Sequence, residues 1–114
     1  MIQIKRIYDP WQESDGLRVL VDRLWPRGLT KEKAKLDQWH KNIAPSHDLR
    51  KRFHNGALSW AQFSDEYRKQ LALNQDLLQE LIQWEKDHGR ITLLYAVKNT
   101  DQNHAQLIKD FLAK

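Results

Sequence analysis

The chain has no cysteine, which excludes a disulfide framework, a thiolate nucleophile and a sulfur-ligated zinc ribbon. It is also sparing with glycine and proline, 4 and 3 among 114 residues. Neither common type of phosphate-binding glycine loop is present, so nucleotide enzymes of those classes are excluded. Long apolar runs are missing too. No window approaches the roughly 20 apolar residues that span a bilayer, and Met1-Ile-Gln-Ile-Lys-Arg-Ile7 lacks the apolar stretch of a signal peptide. A cytoplasmic protein with no membrane partner is expected, and nothing implies a cofactor. With no repeat, low-complexity tract or linker, residues 1–114 read as one domain, long enough to bury a core without metals or disulfides.

What the chain does have is charge of both signs and tryptophan. The net charge of +4 favours an anionic partner, although 30% charged residues is also what an ordinary solvated surface carries. Five Trp are an excess, and packing is their usual first use, so most are expected in the core.

Strand signals come first. Residues 2 to 8 begin with apolar–polar alternation and stop at Asp9-Pro10; a loop to Gly16 follows, and Leu17 to Val21 is a β-branched apolar run suited to a strand covered on both faces. Thr30 can cap a short helical turn, Leu36 to Lys41 read as a further strand, and Ser46 caps a helix carrying Leu49 and Phe53. Ser59 with Gln62 forms a capping box ahead of Trp60, Phe63, Tyr67 and Leu71, whose spacing is that of a core-facing stripe. A further helix opens at Asn74 or Gln75 and closes at His88-Gly89, making an antiparallel hairpin with the one before it. Ile91 to Val97 is a continuous apolar run that reads as a buried central strand, and His104 to Leu112 is a last amphipathic helix. The total, about four strands and four or five helices, predicts an α/β fold: a compact three-layer domain with a largely parallel sheet flanked by helices.

In an open parallel sheet, ligands bind outside the carboxyl ends of the strands. Two polar loops stand there. The one after Val21 offers Arg23, Trp25 and Arg27, and the one after Val97 offers Lys98, Asn103 and His104. If the two strands are neighbours, these groups share a crevice suited to a phosphate- or carboxylate-bearing ligand, since guanidiniums present forked donors and a helix N-terminus favours anions. Arg23, Trp25, Arg27, Lys98 and Asn103 are therefore the candidate ligand-binding residues, with His104 and Asp37 as candidate proton-transfer partners should the protein be an enzyme. The bland alternative is that the arginines pair with Asp22, Asp37 or Asp101 and that His104 merely caps.

Other constellations are weaker. His40, His47 and His54 lie seven apart without further residues at ligand spacing, so no metal is expected. Lys31, Lys33 and Lys35, with Arg50, Lys51 and Arg52, could touch nucleic-acid phosphates, although no nucleic-acid-binding motif accompanies them. Exposed Trp11 or Trp25 could instead anchor a protein partner.

The run Val19-Leu-Val-Asp-Arg-Leu-Trp-Pro-Arg-Gly28 also carries a resemblance, together with Lys31-Glu32, Asp37 and Trp39, Ala44-Pro-Ser46, Leu49-Arg50, Trp60 with Phe63 and Tyr67, and Leu93-Leu-Tyr-Ala96 with Lys98, Asn103 and Ala105. Over nearly its whole length the chain resembles the YeaO-like branch of the domain of unknown function 488 family. That resemblance implies a compact bacterial cytoplasmic α/β protein with no agreed reaction. It places Asp22, Arg23, Trp25, Arg27, Gly28, Asp37, Trp39, Lys98 and Asn103 in the shared pattern. Two departures stand out against it: Asn99 occupies a position where many members carry Asp, and Arg52-Phe-His-Asn55 replaces an aromatic-Phe-Gly-His run.

Overall fold

Four parallel strands make one sheet in the order β1-β4-β2-β3: β1 Ile2–Arg6, β2 Leu17–Leu20, β3 Gln38–Trp39 and β4 Ile91–Tyr95. The computed structural model describes residues 1–113. Five helices accompany the sheet: α1 Lys31–Ala34, α2 His47–His54, α3 Trp60–Leu73, α4 Gln75–His88 and α5 His104–Leu112. The fold is thus α/β with an all-parallel sheet, as its periodicities predict. Every residue of β4 is buried, as a strand hydrogen-bonded on both sides and covered on both faces must be.

The two faces are covered unequally. Val19, Val21, Ile91, Leu93 and Tyr95 project into a core built with residues of α2 to α5, such as Leu49, Tyr67, Leu81 and Ile108. The alternate residues Leu20 and Leu94 meet Ile7, Ala34 and the half-buried Trp25, Leu29 and Leu36. That second cover is only the loop after β1, the residue 21–37 connection and the single turn of α1, so the third layer is thin. It also holds a polar network. The buried Arg18 donates to Asp15 (2.5 Å) and to the Ala34 and Lys35 carbonyls at 3.0 and 3.1 Å. Lys5 reaches the same carboxylate at 3.0 Å. Burial raises the Asp15 carboxyl, but hydrogen bonds from the Gln12 N–H, Lys5 and Arg18 outweigh it and hold the group below its ordinary value.

Local signals explain the helix ends. Thr30, Ser46 and Ser59 each accept a hydrogen bond from the N–H three residues on, and the Ser59 N–H donates in turn to the Gln62 side-chain oxygen. Gly89 closes α4 at φ 77°, a left-handed conformation that glycine adopts freely. Gly16 is required for a harder reason: at φ 64°, a Cβ would lie 2.3 Å from the Arg90 carbonyl oxygen.

Some expectations need correcting. The Leu36–Lys41 strand shrinks to Gln38–Trp39, an edge strand paired only with β2, before a 3₁₀ turn at Lys41–Ile43. The last strand ends at Tyr95, and Val97 is exposed. Nor are most tryptophans deep in the core. Trp25, Trp60 and Trp84 are half-buried against it, while Trp11 and Trp39 are exposed.

Candidate functional site

The strands all run the same way, so the connections leaving β1, β2, β3 and β4 gather at one end of the sheet. There they enclose a cavity of about 600 Å³. Tyr8 comes from behind β1, Asp22 to Arg27 from behind β2, Ala44 and Pro45 from behind β3, and Ala96 to His104 from behind β4. Helices α2 and α3 add Arg50, Phe53, Trp60 and Phe63 as a side wall.

The β2 turn is built by its own hydrogen bonds. Trp25 donates its indole N–H to the Leu29 carbonyl at 2.6 Å, and Trp39 donates to the Asp22 carbonyl at 2.7 Å. The two rings meet edge to face at 5.4 Å, which fixes the indole of Trp25 in the wall. Arg23 reaches across the cavity floor, Nη2 donating to the Ala44 carbonyl at 3.1 Å and Nε facing that of Pro45 at 3.4 Å. It ties the β2 turn to the segment before α2. Arg27 and Arg50 take part in no ion pair among the described residues.

One carboxylate stands among these cations. Asp22 Oδ2 accepts from the Ala96 N–H at 3.0 Å, joining the ends of β2 and β4. Its Oδ1 lies 3.1 Å from His104 Nε2, which is also 2.9 Å from the Val21 carbonyl oxygen. Both neighbours of Nε2 are acceptors, so Nε2 carries a proton. Behind His104 lies Tyr67, its ring 6.3 Å away and its hydroxyl donating to the Ile43 carbonyl at 2.6 Å. Burial pushes the Tyr67 phenol well above its ordinary value; nearby Arg23 opposes that shift and Asp22 adds to it.

The candidate residues separate into two groups. Arg23, Trp25, Arg27, Asn103 and His104 line the one cavity. Asn103 enters it as a helix cap: Oδ1 accepts from the Gln106 N–H at 2.9 Å and Nδ2 donates to the Asn99 carbonyl at 3.1 Å. Lys98 is exposed and outside the wall that its neighbours Val97 and Asn99 help to form. Asp37 lies at the other end of the sheet, where its carboxylate accepts from the Arg18 N–H at 2.8 Å. The structure therefore keeps Asp37 apart from His104, and the carboxylate beside that ring is Asp22. The cause is register: β3 runs parallel to β2 with Val19 opposite Gln38, so Asp37 falls at the amino edge.

Sequence reasoning missed Arg50 and the aromatic wall, because a basic triplet and a helical stripe each have a local explanation. Asn99, where the family resemblance leads one to expect Asp, takes two hydrogen bonds on Oδ1, from the Asp101 and Gln102 N–H groups at 2.9 and 2.8 Å. Of the basic clusters, Arg52 is held by Asp48 and Glu66 at 3.0 and 2.9 Å, and Lys35 lies over the Trp11 ring at 4.9 Å. His40 is buried edge-on to Trp84. Among the described residues no group of three or more His, Asp or Glu side chains converges as metal ligands would, and no helix is long and apolar enough to cross a membrane.

Fold and crevice together define an all-parallel α/β protein whose cationic pocket lies at the carboxyl ends of its strands. The chain belongs to the DUF488-N3i family, described as the inactive DUF488-N3 subclade, which it matches over residues 1–114. It is 48% identical over 111 residues to the uncharacterized protein YeaO of Escherichia coli (strain K12), covering 97% of this chain and 96% of that one. It is 32% identical over 113 residues to the uncharacterized protein Rv3073c of Mycobacterium tuberculosis (strain H37Rv), covering 97% and 92% of the two chains. No solved structure matches the chain.

Proposed function

We propose that this protein binds a small anionic ligand, carrying a phosphate or carboxylate, in the crevice at the carboxyl ends of its strands, and holds it without turning it over. One observation carries the reading: three arginines, Arg23, Arg27 and Arg50, line the cavity together with a single acidic residue, Asp22. One carboxylate offsets only one of the three positive charges, and it is turned towards the Ala96 N–H and His104. Arg27 and Arg50 supply forked donors. Arg23 offers Nη1 while its other nitrogens hold the floor, and the exposed Lys98 adds positive potential at the mouth.

Binding rather than catalysis is favoured by two further points. The family is described as inactive, and the loop position where the resemblance expects an Asp is filled by Asn99, which serves as a loop cap. The commitment of Arg52 to Asp48 and Glu66 weighs against a nucleic-acid role for that triplet.

The test is thermal unfolding in inorganic phosphate at constant ionic strength. A ligand at 100 times its Kd stabilises the native state by about 2.7 kcal/mol, on the order of 10 °C for a chain of this size. The shift should vanish in R27A/R50A while the melting temperature without phosphate stays near wild type. Absence of a shift, or one untouched by the double variant, contradicts the proposal.

A further inference from the structure

Resting on that anion-binding reading, we infer that the ligand carries a planar ring system attached to its anionic group, and that Phe53, Trp60 and Phe63 are the wall on which the ring lies. Size is the first reason. About 600 Å³ is room for roughly twenty waters at about 30 Å³ each, far more than a bare oxyanion fills. It is within the range of pockets that enclose organic molecules, about 300–1,000 Å³.

The second reason is how the aromatic residues are used. Phe63 is 4% exposed and buried in the core, which a packing stripe explains. Phe53 and Trp60 are only half-buried, and both face the cavity. Phe53 stands 4.6 Å from Phe63 at 32°, and Trp60 stands 5.5 Å from Phe63 at 22°, so the three make a continuous apolar surface. Leaving such a surface against water is unfavourable, and a ring would cover it.

The third reason is the placement of charge beside it. Arg50 and Phe53 are three apart on α2, neighbours on one helix face. A ligand whose anion meets the Arg50 guanidinium therefore has its body directed along the aromatic wall.

The experiment compares phenyl phosphate, inorganic phosphate and phenol by calorimetric titration at matched ionic strength, with wild type and with F53L/W60L. Phenyl phosphate should bind wild type at least tenfold more tightly than inorganic phosphate. In the double variant that advantage should disappear while the affinity for inorganic phosphate is kept. Equal affinity of wild type for the two phosphates overturns the ring wall and leaves the anion site standing. Phenol binding as tightly as phenyl phosphate, or no binding of either phosphate, overturns the anion reading and this inference with it. Should F53L/W60L fail to fold, the wild-type series still decides.

Discussion

Removing the Asp22 carboxylate should loosen the place where the two central strands meet the cavity. In D22A the Ala96 N–H loses its 3.0 Å acceptor and His104 loses the oxygen 3.1 Å from Nε2. A hydrogen bond to a charged group is worth about 1.5–3 kcal/mol. The carboxylate and the imidazole are 15% and 12% exposed, so solvent replaces their interaction only in part, adding up to about 1 kcal/mol. The sum is about 2–4 kcal/mol. With a urea slope of about 2 kcal/mol/M, the unfolding midpoint should fall by about 1–2 M when followed by far-UV circular dichroism. D22N separates the two contributions. Its amide oxygen can still accept from Ala96, but its NH₂ meets the Nε2 proton, and turning that proton away strips the Val21 carbonyl of its donor. D22N should therefore lose about half as much as D22A. A D22A midpoint equivalent to less than about 0.5 kcal/mol of destabilisation would refute the assignment of Asp22 as the tie between strand ends.

Three further predictions concern the opposite end of the sheet. R18M should destabilise by about 3–5 kcal/mol in chemical denaturation, because it leaves the buried Asp15 with Lys5 as its one remaining ion-pair partner and the Ala34 and Lys35 carbonyls without their donor. Asp15 has a lowered folded-state value against 3.8 for the free group, so its contribution is fully present above the unfolded value and drains away as pH falls through the folded one. The stability gap between wild type and D15A should accordingly be flat near neutrality and narrow below about pH 4, as equilibrium urea curves at stepped pH would record. G16A should lose more than about 2 kcal/mol, since the new Cβ falls 2.3 Å from the Arg90 carbonyl oxygen at φ 64°; differential scanning calorimetry reads this directly.

Features with local causes were legible in the sequence. The Thr30, Ser46 and Ser59 caps, the Gln62 capping box, the Gly89 terminator and the buried run from Ile91 each follow from a few adjacent residues, and each stands where expected. Features made by distant pairing were not. Arg18 sits inside an apolar strand run, and nothing local announces that its guanidinium is satisfied by Asp15 and two carbonyls in the thin third layer. Asp22 meets Ala96, 74 residues away, and His104 meets the Val21 carbonyl, 83 residues away; only the β4–β2 pairing makes them neighbours. The crevice itself could be anticipated, because parallel strands must deliver their following loops to one end. By the same logic Asp37, just ahead of β3, belongs at the amino end, and the parallel topology already implied that it would stand away from His104. Arg50 and Phe53 were hidden by an adequate local reading, a charged helix face beside a core stripe.

The central claim, an anion held at the carboxyl ends of the strands, is tested most directly by a ¹H–¹⁵N NMR titration with inorganic phosphate that also observes the arginine side-chain Nε–H signals. An anion bound in the crevice gives saturable shifts concentrated on Arg23 to Arg27, Arg50 and the Asn103–His104 helix start. Shifts confined to Lys31–Lys35, or a linear drift spread over the whole surface without saturation, would contradict it.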